Sequence, residues 1–157
     1  MRHSYLIALG SNRRHHRYGR PCDVVLVAIN ELKVLGQVSR RSPVIDSAPL
    51  GPAQRRFANA ACVLESSIEP EALLDWLKQI ERFFGRRRGQ VWGDRVLDLD
   101  LILWSGGILN SPSLSIPHRE FRKRRFVLDP CNMIAPEWRD PVSGYSIRQL
   151  AARAMKP

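Results

Sequence analysis

Read for where apolar and polar residues fall, the chain breaks into short strands and helices in mixed order. Ser4–Leu9 is apolar and ends at Gly10-Ser11-Asn12, which is turn chemistry, so a first strand is predicted there. Arg13 to Pro21 is polar and basic and reads as a loop. Its adjacent His15 and His16 are expected to be solvated rather than metal-bound. Asp23 is a suitable N-cap for a helix through about Leu35, with Gly36 as its stop. That helix is apolar enough, from Val24 through Leu32, to lie on a sheet. Gln37–Ile45 reads as a second strand, Ala48-Pro49-Leu50-Gly51-Pro52 as a rigid loop, and Phe57–Glu65 as the lead into a third strand. Pro70 suits the first turn of a second helix. Its stripe Leu73, Leu77, Ile80 and Phe84 recurs at helical spacing, and Gly85 closes it.

The next strand carries the chemistry. From Val96 to Leu103 apolar and acidic residues alternate, then the run turns apolar. Leu97, Leu99 and Leu101 fall on one face, and Asp98 and Asp100 on the other. Two carboxylates two residues apart on a strand sit roughly 7 Å apart and point the same way. They repel unless a cation lies between them, and Mg²⁺ is the usual cation for oxygen ligands near phosphates. Arg82, Arg86, Arg87, Arg88 and Arg95 lie just upstream, so the segment suits a metal-bound polyphosphate. Beyond it, Gly106-Gly107 makes a turn and Ile108–Leu109 a short return strand. Ser115 to His118 is extended, Phe126–Ile134 is apolar enough to pack, and Ile147–Met155 suits a short helix. Pro130, Pro136 and Pro141 limit any long C-terminal helix. Two long helices among several strands indicate an α+β layer fold.

Composition narrows the setting. At 157 residues and 44% hydrophobic content, one globular domain spanning 1–157 is expected. No apolar run reaches the roughly 18 residues a membrane span needs, and the N-terminal apolar stretch is too short for a signal peptide. A cytoplasmic monomer is therefore expected. Cys22, Cys62 and Cys131 are far apart, which fits idle thiols rather than disulfides or zinc. The net charge of +10 calls for an anionic partner or simply gives solubility, and basic residues crowd into Arg13–Arg20, Arg86–Arg88 and Arg119–Arg125. No helix-turn-helix, zinc or RNA-recognition signature accompanies them, and the aspartate pair would repel a phosphate backbone, which argues against nucleic acid.

Nearly end to end, the chain resembles the 6-hydroxymethyl-7,8-dihydropterin pyrophosphokinases of folate biosynthesis. The residues that carry the resemblance are Ile7-Ala8-Leu9-Gly10-Ser11-Asn12, Pro49-Leu50-Gly51-Pro52, Phe57-Ala58-Asn59-Ala60-Ala61, Glu81 through Arg88, Trp92-Gly93-Asp94-Arg95-Val96-Leu97-Asp98-Leu99-Asp100, and Pro117-His118 with Arg124 and Phe126. The resemblance implies a ferredoxin-like αβα sandwich with a central antiparallel sheet. It also implies diphosphoryl transfer from ATP to the hydroxymethyl oxygen of the pterin, leaving AMP, with two Mg²⁺ ions. Carried over, Asp98 and Asp100 hold the metals, and Arg86, Arg88 and Arg95 are the loop arginines, with Arg86 and Arg95 catalytic. ATP contacts fall on Lys78, Glu81, Arg88, Leu101, Ser115, His118 and Arg124. The pterin falls to Phe57 and Phe126 as stacking rings, Asn59 as amide partner, Ser47, Ala48 and Leu50 along the backbone, and Trp92 from the loop.

The chain departs from the family pattern at a few points. Val91 stands where arginine is frequent, Lys78 where glutamine is, Ser113 in place of an arginine, and Arg119 where an aromatic is common. On residues alone, two further readings stay open: a catalytically impaired relative that still binds pterin or nucleotide, and a basic nucleic-acid-binding module.

Overall fold

The first strand becomes the middle of the molecule. In a computed structural model that describes residues 1–47, 56–85 and 96–155, it runs His3–Ser11 (β1). It pairs with a neighbour on each side, and every residue from Tyr5 through Ser11 is buried. The first helix, Pro21–Leu32 (α1), starts earlier than its expected cap. Pro21 takes the first helical position, where a missing N–H is harmless. Asp23 is not the N-cap; Arg20 is. The Asp23 carboxylate reaches back instead and accepts from the Arg20 backbone N–H at 3.1 Å. Gly36 does not stop the helix either, since Lys33 already caps it. A glycine is required at 36 because a Cβ there would stand 2.1 Å from the Glu65 carbonyl oxygen.

The expected second strand is two strands, Gln37–Arg41 (β2) and Ile45–Ser47 (β3). They part at Ser42-Pro43-Val44. Pro43 has no N–H to offer a ladder, and the Ala61 N–H turns to the Ser42 hydroxyl oxygen, at 2.9 Å, as its acceptor. Phe57–Ser66 (β4) pairs with β1, β2 and β3. Pro70–Phe83 (α2) follows, closed as expected by Gly85 at φ +105°, and then Asp98–Trp104 (β5). The order across the sheet is β2-β4-β1-β5, with β3 also on β4 and every pairing antiparallel.

The short return strand, Leu109–Asn110 (β6), pairs with Ser115–Ile116 (β7) in a separate two-stranded ladder. A 3₁₀ turn at Phe121–Lys123 leads into Arg125–Ile134 (α3), and Ile147–Ala154 (α4) ends the fold. Pro130 sits inside α3. The helix survives the lost hydrogen bond because Val127, Leu128, Cys131 and Ile134 are buried against the sheet.

Strand alternation splits the interior in two. Tyr5, Ile7 and Leu9 face α1 and α2 with Leu97, Leu99 and Leu101. Leu6 and Ala8 face α3 and α4 with Ala61 and Val63. A bulge in the pairing of β1 with β5, between Leu6 and Ile7, lets Ile102 and Leu103 both enter the second core. Each buried Leu or Ile contributes about 1.5–3 kcal/mol of transfer free energy. The result is helices, sheet, helices: the ferredoxin-like αβα sandwich.

A further local expectation fails. His15 is not solvated; it is 8% exposed, inside a turn closed by paired hydrogen bonds between His15 and Gly19.

Candidate active site

The second face of the sheet is only partly covered. α3 and α4 lie over Leu6, Ala61, Val63, Ile102 and Leu103. Toward the end of β1 and the starts of β4 and β5 the same face opens into a cavity of ≈710 Å³, a size suited to a small ligand. Strand register builds its floor. Asn59, Gly10 and Asp98 stand in one row across three strands, and Ala61, Ala8 and Asp100 in the next row of the same face. The central strand gives the rows a glycine and an alanine, so the floor is low in the middle. At Gly10 a Cβ would come within 3.0 Å of Asn59 Nδ2.

The aspartates point where the alternation places them. Leu97, Leu99 and Leu101 are buried in the first core, while Asp98 and Asp100 line the cavity on the opposite face. The backbone between them is held from behind. Glu81, buried on α2, accepts the Leu99 N–H at 2.8 Å through Oε2. A hydrogen bond to a charged group contributes about 1.5–3 kcal/mol.

His118 closes the wall beside Asp100. Its backbone N–H donates to the Ile102 carbonyl at 3.1 Å. Its Nδ1 accepts the Glu120 N–H at 3.2 Å, which leaves Nε2 to carry the proton of the neutral ring. Nε2 lies 4.0 Å from Asp100 Oδ1, beyond hydrogen-bond reach. Burial lowers the His118 pKa; Asp100 pulls it back up, and Arg124 pushes it down again.

Arg124 is the N-cap of α3, and its guanidinium carbon lies 5.8 Å from the Phe126 ring centroid. Between His118 and Arg124, the 3₁₀ turn is clamped from outside. Arg122 donates through Nε and Nη2 to the carboxylate of Asp140, at 2.6 and 2.9 Å.

Of the residues singled out from sequence, Phe57, Asn59, Asp98, Asp100, Leu101, Ser115, His118, Arg124 and Phe126 all line this one cavity. Ser113 and Arg119 line it as well. Lys78 is exposed on α2 and, like Glu81, is not on the cavity wall. The Ser47 backbone pairs with Phe57 at the end of β3. Ala48, Leu50, Arg86, Arg88, Trp92 and Arg95 lie outside the described residues. Ser111 and Glu120 also line the wall. Neither was foreseen; the only signal for Glu120 was its place two residues after His118.

Among the described residues no three His, Cys, Asp or Glu side chains converge on a point. Two carboxylates on one face fit Mg²⁺ all the same, because that ion keeps waters and takes substrate phosphate oxygens rather than an all-protein cage.

The chain was compared with known proteins. The model of the family described as 7,8-dihydro-6-hydroxymethylpterin-pyrophosphokinase (HPPK) matches residues 6–136. A 2-amino-4-hydroxy-6-hydroxymethyldihydropteridine pyrophosphokinase of Synechocystis sp. is 40% identical, over 94% of this chain and 74% of that one. A protein of the same name from Pseudomonas aeruginosa is 38% identical, over 93% of this chain and 89% of that one. Among solved structures, the wild-type HPPK-DHPS of Plasmodium falciparum with pteroate superposes with a TM-score of 0.75 at 14% identity. The match covers 98% of this chain but only 42% of that longer one, and supports the fold.

Proposed function

The chain belongs to the 7,8-dihydro-6-hydroxymethylpterin-pyrophosphokinase family, and from that premise we propose that the cavity on the second sheet face is its active site. The enzyme transfers a diphosphoryl group from ATP to the hydroxymethyl group of 6-hydroxymethyl-7,8-dihydropterin, in folate synthesis. The hydroxymethyl oxygen bonds the β-phosphorus, the bond from that phosphorus to the α-phosphate oxygen breaks, and AMP leaves.

One observation carries the assignment of the site: Asp98 and Asp100 stand on the same face and in the same cavity as Phe57, Asn59, His118, Arg124 and Phe126. On this reading Asp98 and Asp100 would hold two Mg²⁺ ions, whose charge would offset that of the phosphates. Phe57 and Phe126 grip the flat pterin by its faces, and the Asn59 amide reads its edge. Ser47, Ala48 and Leu50 are assigned to the pterin through their backbone, and Trp92 through its side chain.

Leu101 and Ser115 border the nucleotide. Arg124 gives a permanently charged contact to phosphate. His118 donates a proton-bearing Nε2 toward the same phosphates while remaining neutral. Arg86, Arg88 and Arg95 fall within the family match and are assigned to the triphosphate, with Arg86 and Arg95 catalytic. Lys78 is assigned to the nucleotide from outside the described cavity wall. Glu81 supports the metal-bearing strand through Leu99. We read residues 1–157 as one domain acting as a cytoplasmic monomer.

The test is turnover of ATP, Mg²⁺ and the reduced hydroxymethylpterin by Asp98→Ala and Asp100→Ala. Loss of AMP formation with an unchanged melting profile is expected. AMP production at the wild-type rate by either variant would remove the aspartates from the mechanism.

A further inference from the structure

We infer that the basic turn at residues 13–20 is a fixed cationic arm of the active-site rim, which captures the anionic tail of ATP before it settles in the cavity. The inference rests on the assignment of that cavity to ATP.

Position comes first. β1 ends at Ser11, and Gly10, which lines the cavity, pairs with Asp98. Arg13 follows three residues after Gly10, so at most ~11 Å of chain separates their Cα atoms. The arm therefore leaves the sheet at the same end that presents the aspartates.

Charge is the second point. Arg13, Arg14 and Arg17 are exposed, and among the described residues none has an ion pair. Arg20 alone is spoken for, by Asp23 at 3.6 Å. Three guanidiniums without an ion pair, on a turn that starts within ~11 Å of chain from cavity-lining Gly10, form a positive field that acts on a polyphosphate over about one Debye length, ~8 Å at physiological salt.

Mounting is the third. A merely solvated charge run needs no core of its own, yet this one has one. The His15 Nδ1 accepts the backbone N–H groups of Arg17 and Tyr18, at 3.0 and 3.1 Å. The His15 ring stacks on His16 and on Tyr18, at 4.5 and 4.6 Å. Tyr18 and His15 both lean on Phe84, at 5.2 and 5.9 Å. The arm is thus bolted to the end of α2, and its arginines are held out rather than left to collapse.

The experiment uses the full chain with Arg13→Gln, Arg14→Gln and Arg17→Gln combined, and separately His15→Ala, which keeps the charges but removes the mount. Steady-state rates are measured over varied ATP from low salt to ~0.5 M. In the triple variant kcat/KM for ATP should fall about three- to tenfold at low salt, with kcat and the pterin KM unchanged. The gap to wild type should close at high salt. His15→Ala should show a smaller fall with the salt slope kept. A triple variant whose kcat/KM and salt slope match wild type overturns the inference, as does an equal fall at every salt concentration. AMP formation by Asp98→Ala, measured in parallel, reports on the cavity assignment independently.

Discussion

Replacing Arg122 with methionine should loosen the fold and disarm the site together. Asp140 is fully buried, and its carboxylate accepts four hydrogen bonds: Arg122 Nε at 2.6 Å and Nη2 at 2.9 Å, Ser143 Oγ at 2.6 Å and the Val142 N–H at 3.0 Å. Arg122→Met removes two of the four and the only charge partner among the described residues. Breaking a buried pair in this way costs about 3–5 kcal/mol. Arg122 is 28% exposed, so water softens the loss and the lower figure applies. A second route gives the same size. Burial alone would push Asp140 up, yet the hydrogen bonds from Arg122, Ser143 and Val142, with the Arg122 charge, hold it at about 2 against an ordinary 3.8. At about 1.4 kcal/mol per pKa unit, that difference is about 2.5 kcal/mol for all these partners together, with Arg122 the largest of them.

The direction with pH follows from the depressed pKa. The contribution is fully present above the ordinary carboxylate pKa and is lost as pH falls toward about 2. Urea melts at pH 7 should therefore show Arg122→Met less stable by about 2–3 kcal/mol, or roughly 5–10 °C in Tm. Between pH 5 and 2 wild type should lose about that much more stability than the variant. Arg122 sits in the turn between His118 and Arg124. Below its melting range the variant should accordingly lose activity about ten- to a hundredfold, as a misplacement of ~1 Å does. A loss under ~1 kcal/mol, or an acid limb that the substitution leaves unchanged, would refute the reasoning.

Two more perturbations address the cavity itself. Gly10→Ala should raise the pterin KM with little change in stability, because its Cβ meets the Asn59 side-chain nitrogen at 3.0 Å and must displace it; an unchanged pterin KM would free Asn59 from that role. His118, kept neutral by burial, should leave kcat/KM flat as pH falls through its ordinary value of 6.5. A wild-type break at or above 6.5 that vanishes in His118→Asn would count against a neutral imidazole.

Much of this was legible in the residues because alternation carries direct spatial content. Asp98 and Asp100 had to share a face once Leu97, Leu99 and Leu101 were buried, and their chain positions predicted the strand. The α2 stripe and its Gly85 cap were equally plain. What escaped was set by partners distant in sequence. The division of the second strand depends on the Ser42 hydroxyl reaching Ala61. The need for glycine at 36 depends on the Glu65 carbonyl. Glu81 was assigned to ATP, yet its carboxylate turns inward to the Leu99 N–H. His15 read as solvated because nothing local shows that Phe84, 69 residues on, arrives beside it. The α3 helix was obscured by Pro130, whose local penalty is overridden by burial of the face around it.

The layer of α3 and α4 reaches across only part of the sheet, and the bare remainder is the proposed seat of the substrates. Nucleotide and pterin therefore act as removable pieces of the interior. Occupancy adds RT ln(1 + [L]/Kd) to global stability, about 2.7 kcal/mol at a hundredfold excess over Kd. A starved copy of the enzyme is a softer copy, more readily opened and digested. Substrate supply thus governs how long each molecule persists as well as how fast it turns over.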